Sequence, residues 1–558
     1  MKDIVISYFL LMCLFPAAAS AQSFEEYKRQ KQAKYNSYVQ KRTEEYKAYR
    51  DKVNAEYAKY MRNAWTREEV QAALPLPIRP EPPKPIVRKP FDIPQFDAIP
   101  FGDVKDLKKA DIPKPEPIIP IDQLEQLVIT APENVKPEQT PKPQDETKPQ
   151  EKPQEAKPVI KPQDEIKPEE KPQDVKPVDD TKPEKKPIED KPVTAPLAKH
   201  PECLSFKWCG LTWRVPLEKH HRFRLRSTKE ADVAEAWGIL SGTKYAGVVA
   251  ECLKIRDAYQ LPDWGYLHFL NAMTDAFLPG MPSEARLLEM FILLQSGYQA
   301  RIGRCDGRLF LLVPSNGDIY EYSFLNLGGR KYYVTEHVKN SGSYFVFERD
   351  FPRTQPFVWQ MSKLPLLKAE STSRTLQAQR FPDVQATVNI SKNLVKFLNE
   401  YPRCNDWNSY ALASLSEQAK ASLYPALRKH IEGKSRKDAV GVLLYFVQTA
   451  FDYQADDQQF GEERPLFGDE TLYYPYCDCE DRSILVSILV RELLGLDVVL
   501  LNYPEHLATA VCIGDDVEGD YLILDGRRFV VCDPTYIGGR VGEAMPSYKK
   551  TKATILRL

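Results

Sequence analysis

The 558-residue chain is expected to fold as an α+β protein, in which a long helix and a Pro-rich spacer precede two globular domains. Three observations lead there. Cys479 opens an apolar-periodic stretch and is followed by His506 and Asp533 on two strand-like segments, an order of helix and then strands. Composition breaks near residue 200, where a Pro- and Lys-rich tract gives way to sequence rich in Trp, Tyr, Leu and Val. Residues 317–334 are also echoed without gaps 197 positions later, as 514–531. The roughly 360 residues after the break are ample for two cores.

Residues 1–21 read as a secretory signal peptide. Lys2 precedes an apolar run from Ile4 to Phe15, and Ala17-Ala18-Ala19-Ser20-Ala21 ends in a small-x-small pattern with cleavage expected after Ala21. The run is too short for a transmembrane span, and no later stretch approaches that length. The expected destination is outside the cytoplasm, either periplasmic or extracellular and cell-surface.

Residues 22–66 carry an eleven-residue repeat. Phe24, Tyr35, Tyr46 and Tyr57 form one series and Tyr27, Tyr38, Tyr49 and Tyr60 the other. Eleven residues make three helical turns of about 3.67 residues, so all eight rings share one stripe of an amphipathic, coiled-coil-like helix. That stripe must be covered. The plain reading docks it on the body of the same chain; self-association or contact with a surface is the other.

Residues 67–199 turn Pro-rich, and 134–192 is a degenerate Lys-Pro-Glu/Gln-Asp tract, as in Lys161-Pro162-Gln163-Asp164-Glu165-Ile166-Lys167-Pro168. Such composition cannot bury a core and favours extended polyproline segments, so the whole stretch is expected to be a disordered linker. The net charge of −1 therefore hides a polyampholyte tail. With acidic side chains balancing basic ones, nucleic acid is not an expected partner.

Beyond it lie three segments: a domain over 200–350, a strand-rich connector over 351–395, and a second domain over 396–558. In the last, helices are expected at about 408–432 and 436–450. The polar and aromatic run from Phe451 to Gly461 should shape a groove, with Tyr453 and Gln459 as guesses for an oxyanion donor.

Cys479, His506 and Asp533 are the candidate catalytic residues. Only a thiolate attacks a carbonyl, and a helix N-terminus and a neighbouring imidazolium both favour it. Asp478 is placed to cap that helix, with Asp481 as its partner three residues on and Gly495 as the stop. His506 would take the thiol proton and return it to the leaving group, while Asp533 orients the ring. Cys477 competes as the thiol, but it lies before the helix. A buried, inert cysteine is the plain alternative.

Cys479-Glu480-Asp481-Arg482-Ser483, then His506-Leu507-Ala508-Thr509-Ala510-Val511, then Cys532-Asp533-Pro534-Thr535 resemble, in order and spacing, the transglutaminase-like superfamily. The resemblance covers roughly 396–558 and implies a papain-like fold with a Cys-His-Asp triad. Members often have a glycine shortly before the cysteine, where this chain has Tyr476-Cys477-Asp478. For bacterial members it implies a peptidase or amidase more often than a protein cross-linker. The expected function is an exported cysteine acyl-transfer enzyme working through a thioester on a peptide or protein substrate. The alternatives are a protein-glutamine acyltransferase and a non-catalytic binding scaffold that keeps the fold.

The internal echo suggests that 200–350 is a degenerate copy of the same domain; chance similarity of two β-hairpins with Asp-Gly and Gly-Gly turns is the plain alternative. Gly514/Gly317, Leu522/Leu325, Leu524/Leu327, Gly526/Gly329 and Arg527/Arg330 are identical pairs, and Ser283-Glu284-Ala285-Arg286 leads a helix as Cys479 does. The offset puts Leu309 opposite His506 and Glu336 opposite Asp533, so the chemistry is absent.

Nine cysteines would remain after cleavage, an odd number that a free nucleophile accounts for, and Cys203 with Cys209 could form a local disulfide. No CxxC pairs with a second one or with HxxxH, and the seven histidines are scattered. Neither a metal nor a cofactor is expected.

Overall fold

The structure is a computed structural model that describes residues 2–76, 82–89, 95–107, 203–315, 317–336, 343–367, 370–379, 384–403, 407–514 and 516–558, with side chains from residue 26 onward. The remaining part of the expected linker and Cys404 lie outside the described residues.

Helix α1 (Lys2–Met61) is followed by β1 (Thr66–Glu69), β2 (Ile86–Val87) and β3 (Phe101–Asp106). The hairpin β4 (Leu204–Trp208) and β5 (Leu211–Val215) leads into α2 (Glu230–Leu240), α3 (Ala246–Ala258), α4 (Asp263–Phe277) and α5 (Pro282–Gln295). Five strands come next: β6 (Arg301–Cys305), β7 (Arg308–Ser315), β8 (Phe324–Leu327), β9 (Arg330–Val334) and β10 (Ser343–Val346). A second hairpin, β11 (Ser371–Gln377) and β12 (Gln385–Ser391), precedes α6 (Lys392–Asn399), α7 (Trp407–Ala411), α8 (Glu417–Ile431) and α9 (Arg436–Thr449). Then come β13 (Asp452–Tyr453), α10 (Asp456–Gln459), α11 (Gly468–Tyr473), β14 (Tyr476–Cys477) and α12 (Cys479–Leu494). The chain closes with β15 (Val498–Asn502), β16 (Leu507–Val511), β17 (Tyr521–Leu524), β18 (Arg527–Cys532), β19 (Tyr536–Ile537) and β20 (Ala553–Arg557).

The architecture is mixed α+β, with two six-stranded sheets of one plan. The first has the order β1-β10-β6-β7-β9-β8, and the second, read from its other end, β3-β20-β15-β16-β18-β17. Their outer hairpins match residue for residue. Leu325 faces Tyr332 as Leu522 faces Phe529, so the offset of 197 read from the sequence is a shared register. One strand inward the offset changes. Leu312 faces Val334 while Ala510, not Thr509, faces Val531, because the β7–β8 connection is one residue longer.

Part of the expected linker is sheet. β1 pairs antiparallel with β10, and β3 pairs parallel with β20. The same stretches reach the far edges: Gln71 bridges Phe324 next to β1, and Ala98 bridges Tyr521 next to β3. An open sheet edge presents unpaired N–H and C=O groups, and each sheet here has both edges engaged by one short N-terminal segment. Proline content misled the reading because proline is tolerated at strand ends and edges. Pro82, Pro83, Pro85 and Pro100 all lie just outside β2 and β3.

The aromatic stripe of α1 divides in two. Val53, Tyr57 and Met61 are buried against the body, and the Tyr57 ring lies 4.9 Å from Trp237, 5.0 Å from Phe347 and 4.9 Å from Phe351. Arg349 sits over Tyr60 at 3.4 Å and Arg353 over Tyr49 at 4.6 Å. Intramolecular docking therefore accounts for the C-terminal half. Toward the N-terminus, Tyr27, Tyr35 and Tyr38 are exposed.

The two sheets and their helices share one core. Trp208 of β4 lies 5.6 Å from Phe269 of α4 and 6.1 Å from Phe397 of α6, so α6 packs on the preceding half. The single helix expected over 408–432 is broken between α7 and α8. There Ser416 caps α8 by accepting the Ala419 N–H at 3.2 Å, and buried Asp469 accepts the Ser416 N–H at 2.8 Å. Cys203 and Cys209 are free thiols, which overturns the local disulfide; they end opposite sides of β4 with Cys209 at a turn of φ +45°.

Candidate active site

α12 begins at Cys479 because its first turn is capped and its last is terminated. The Asp481 carboxylate accepts the Asp478 N–H at 3.3 Å and the Leu466 N–H at 2.8 Å. Gly495 adopts φ +64°, the left-handed conformation that ends a helix at little cost to glycine. From Cys479 to Val490 the helix is buried throughout, so its apolar residues hold the thiol against β16. Ser483 Oγ donates to the Leu507 carbonyl at 2.7 Å, and the Leu507 N–H is directed at the Cys479 sulfur. The thiol thus faces the residue next to His506.

His506 and Asp533 are joined directly. His506 Nε2 donates to Asp533 Oδ2 at 2.9 Å, with both side chains buried. Asp533 Oδ1 accepts the N–H groups of Thr535 at 2.9 Å and Tyr536 at 3.2 Å, which fixes the orientation of the carboxylate. The ring packs between Tyr548 at 4.7 Å and Tyr503 at 6.0 Å. In the neutral ring, a carboxylate that only accepts at Nε2 places the proton there and the lone pair on Nδ1. That nitrogen is buried without a hydrogen-bond partner.

The thiol does not use it. Cys479 Sγ donates to Glu480 Oε2 at 3.0 Å, and its pKa is pushed well above the ordinary value, first by burial and then by Glu480 and Asp478. Glu480→Gln removes the nearer charge and should speed Cys479 alkylation at pH 8 about tenfold, the equivalent of about one pKa unit. Peptide mass spectrometry after timed iodoacetamide quenches checks it; an unchanged or slower rate would show that Glu480 carries no charge beside the sulfur.

Sequence reasoning missed the surroundings. Asp456, Asp478 and Asp481 place carboxylate oxygens within 4.8 Å of one another, as do Asp456, Glu463 and Glu480. Burial first, then mutual repulsion, pushes Asp456 up to about 10 and the carboxyls of Asp478 and Asp481 well above their usual range. These oxygens are the groups here that could hold a hard cation; otherwise they share protons. Buried Arg482 donates to the Phe451 carbonyl at 2.9 Å and lies over the Tyr453 ring at 5.2 Å.

Gln448 of α9 is the second omission. Its Nε2 donates to the carbonyls of Asp533 at 3.0 Å, Tyr536 at 2.8 Å and Gly539 at 3.1 Å, and its Oε1 accepts the Gly538 N–H at 3.2 Å. A lone glutamine following Val440, Leu443, Leu444, Phe446 and Val447 was the available signal. Of the two guessed oxyanion donors, the Tyr453 hydroxyl is committed to the Pro83 carbonyl at 3.0 Å, and Gln459 Nε2 is buried without a partner.

The other sheet holds a parallel arrangement with different chemistry. Ser283 Oγ accepts the Leu309 N–H at 3.1 Å, as the Cys479 sulfur faces that of Leu507. The inner-strand register puts Arg308, rather than Leu309, opposite His506. Arg308 pairs with Glu336 at 3.1 Å, in the place of the His506–Asp533 bond, and Glu336 also meets Arg286 at 3.3 Å. A guanidinium takes no proton at neutral pH, so this trio has no base. No protein-family model, curated protein or solved structure matches the chain.

Proposed function

We propose that the chain is an exported cysteine acyl-transfer enzyme of the transglutaminase-like kind, acting as a peptidase or amidase. The observation that carries this reading is the buried His506–Asp533 pair with Nδ1 left open, at the start of the strand β16 on which α12, opening at Cys479, packs. In the reaction His506 Nδ1 takes the thiol proton and the sulfur attacks the substrate carbonyl. A C–S bond forms, the amide C–N bond breaks, and the imidazolium protonates the leaving amine. Water, deprotonated by the same nitrogen, then cleaves the thioester. An amine in place of water would give cross-linking. Residues 200–350 are a copy of the same domain in which Ser283, Arg308 and Glu336 replace the triad, leaving it a supporting or binding role. The burial of Cys479 and its bond to Glu480 favour one other reading, a scaffold that retains the fold.

Alkylation with iodoacetamide near pH 6 tests it, on the full chain because β1 and β3 complete the sheets. An activated Cys479 labels faster than the more accessible Cys203 and Cys512, and the advantage disappears in His506→Ala. A rate indifferent to His506 once the reagent reaches Cys479 would leave the scaffold reading.

A further inference from the structure

Residues 82–89, with β2 at their centre, lie along the second half of the chain and touch neighbours of both Asp533 and Cys479. β2 pairs in parallel with β19, Ile86 beside Tyr536 and Val87 beside Ile537, and the Arg88 N–H donates to the Ile537 carbonyl at 2.8 Å. β19 begins three residues after Asp533, and the Tyr536 N–H is one of the two that hold that carboxylate. At the other end the Pro83 carbonyl accepts from the Tyr453 hydroxyl at 3.0 Å. Tyr453 pairs with Cys477, two residues from the nucleophile, and its phenol is pushed up by burial and then by the Cys479 sulfur.

The manner of docking is that of a bound peptide rather than of a core strand. Ile86 and Val87 are 39% and 67% exposed, so the edge grips main chain and leaves those side chains in solvent. The side chain that is held is Arg88. Its guanidinium meets Glu543 at 2.7 Å, with the two side chains only 10% and 7% exposed, and Glu543 bridges Cys532, the residue before Asp533. Strand addition of this kind takes affinity from backbone hydrogen bonds and selectivity from a few side-chain seats.

We infer that the β19 edge, with the Tyr453 hydroxyl and the Glu543 carboxylate at its ends, is a peptide-binding site for extended segments carrying a basic residue, and that residues 82–89 occupy it and cover Cys479. Its role as a substrate site rests on the acyl-transfer reading above. Its covering of the thiol does not, and the test separates the two.

Residues 82–89 are replaced by a Gly/Ser octamer in the full chain, with Arg88→Glu as a milder variant that repels Glu543. Both are made with His506 intact and with His506→Ala. Thiol access is read as the alkylation rate of Cys479 at pH 9.5, against Cys512 as internal reference, and thermal melting identifies variants that fold. Labelling should rise tenfold or more in both backgrounds, since access does not depend on the base. A fluorescein-labelled peptide of residues 82–89, added in trans, should then bind the octamer chain and return the labelling to its original rate. A scrambled peptide with arginine moved to the other end should not. An unchanged rate in the folded variants, or a freed thiol that saturating peptide leaves unprotected, overturns the inference. A rise in labelling with no His506 dependence at pH 6 would instead sink the acyl-transfer reading and leave the peptide site standing.

Discussion

If Cys479 reacts as proposed, Asp533→Asn is expected to slow its acylation on the order of 10⁴-fold, the scale of loss when a buried triad carboxylate becomes an amide. The cause is a change of tautomer. Asp533 Oδ1 is committed to the N–H groups of Thr535 and Tyr536, so the amide oxygen of an asparagine takes that position. Its NH₂ then faces His506 Nε2, where a carboxylate oxygen stood at 2.9 Å. Two donors cannot share the contact, so the ring proton moves to Nδ1 and the lone pair turns toward the amide. The nitrogen that should receive the thiol proton then carries one. The p-nitrophenolate burst from p-nitrophenyl acetate measures acylation, and ¹⁵N shifts of His506 report the tautomer. A retained burst with Nδ1 protonated would remove His506 from the mechanism.

Gln448→Leu should cost about 3 kcal/mol of stability and most of the activity. Three carbonyls and one N–H of residues 533–539 lean on this one amide inside the protein. Leucine has similar volume but leaves them unpaired, and each buried unsatisfied group costs about 1–3 kcal/mol, with partial relaxation onto water reducing the sum. The loop that would relax contains Asp533, so the damage goes to the orientation of His506. Gln448→Glu keeps the acceptor for Gly538 but faces the three carbonyls with oxygen, and should do no better. Chemical denaturation and the acylation burst check both. Wild-type stability in Gln448→Leu would mean the carbonyls find other donors.

The parts of the site legible in the sequence are those that obey a local period. The length of α12 was readable because Ile484, Leu485, Ile488, Leu489 and Leu493 keep helical spacing and Gly495 must take positive φ. The pairing of His506 with Asp533 came through the ordered motifs. Gln448 and Arg482 act across the fold, and beyond the lone polar position of Gln448 on an apolar helix nothing in their immediate neighbours announces that. An ungapped alignment could not see the extra residue between β7 and β8, so it set Leu309 where the sheet puts Arg308. β1, β2 and β3 escaped for another reason. They are two to six residues long, and their stability comes from strands hundreds of positions away.

That separation has a consequence for how the molecule is made. A ribosome releases β1 and β3 early, but their partners follow much later, β10 from Ser343 and β20 from Ala553. Until β20 has been made, β3 has no strand to join. The margin of β15 that β20 will cover therefore stays open from the making of β15 to that of β20. Closing it is a late event, since it waits on a strand far down the chain from β3. Over that interval the uncapped sheet is the surface on which two unfinished chains would find each other.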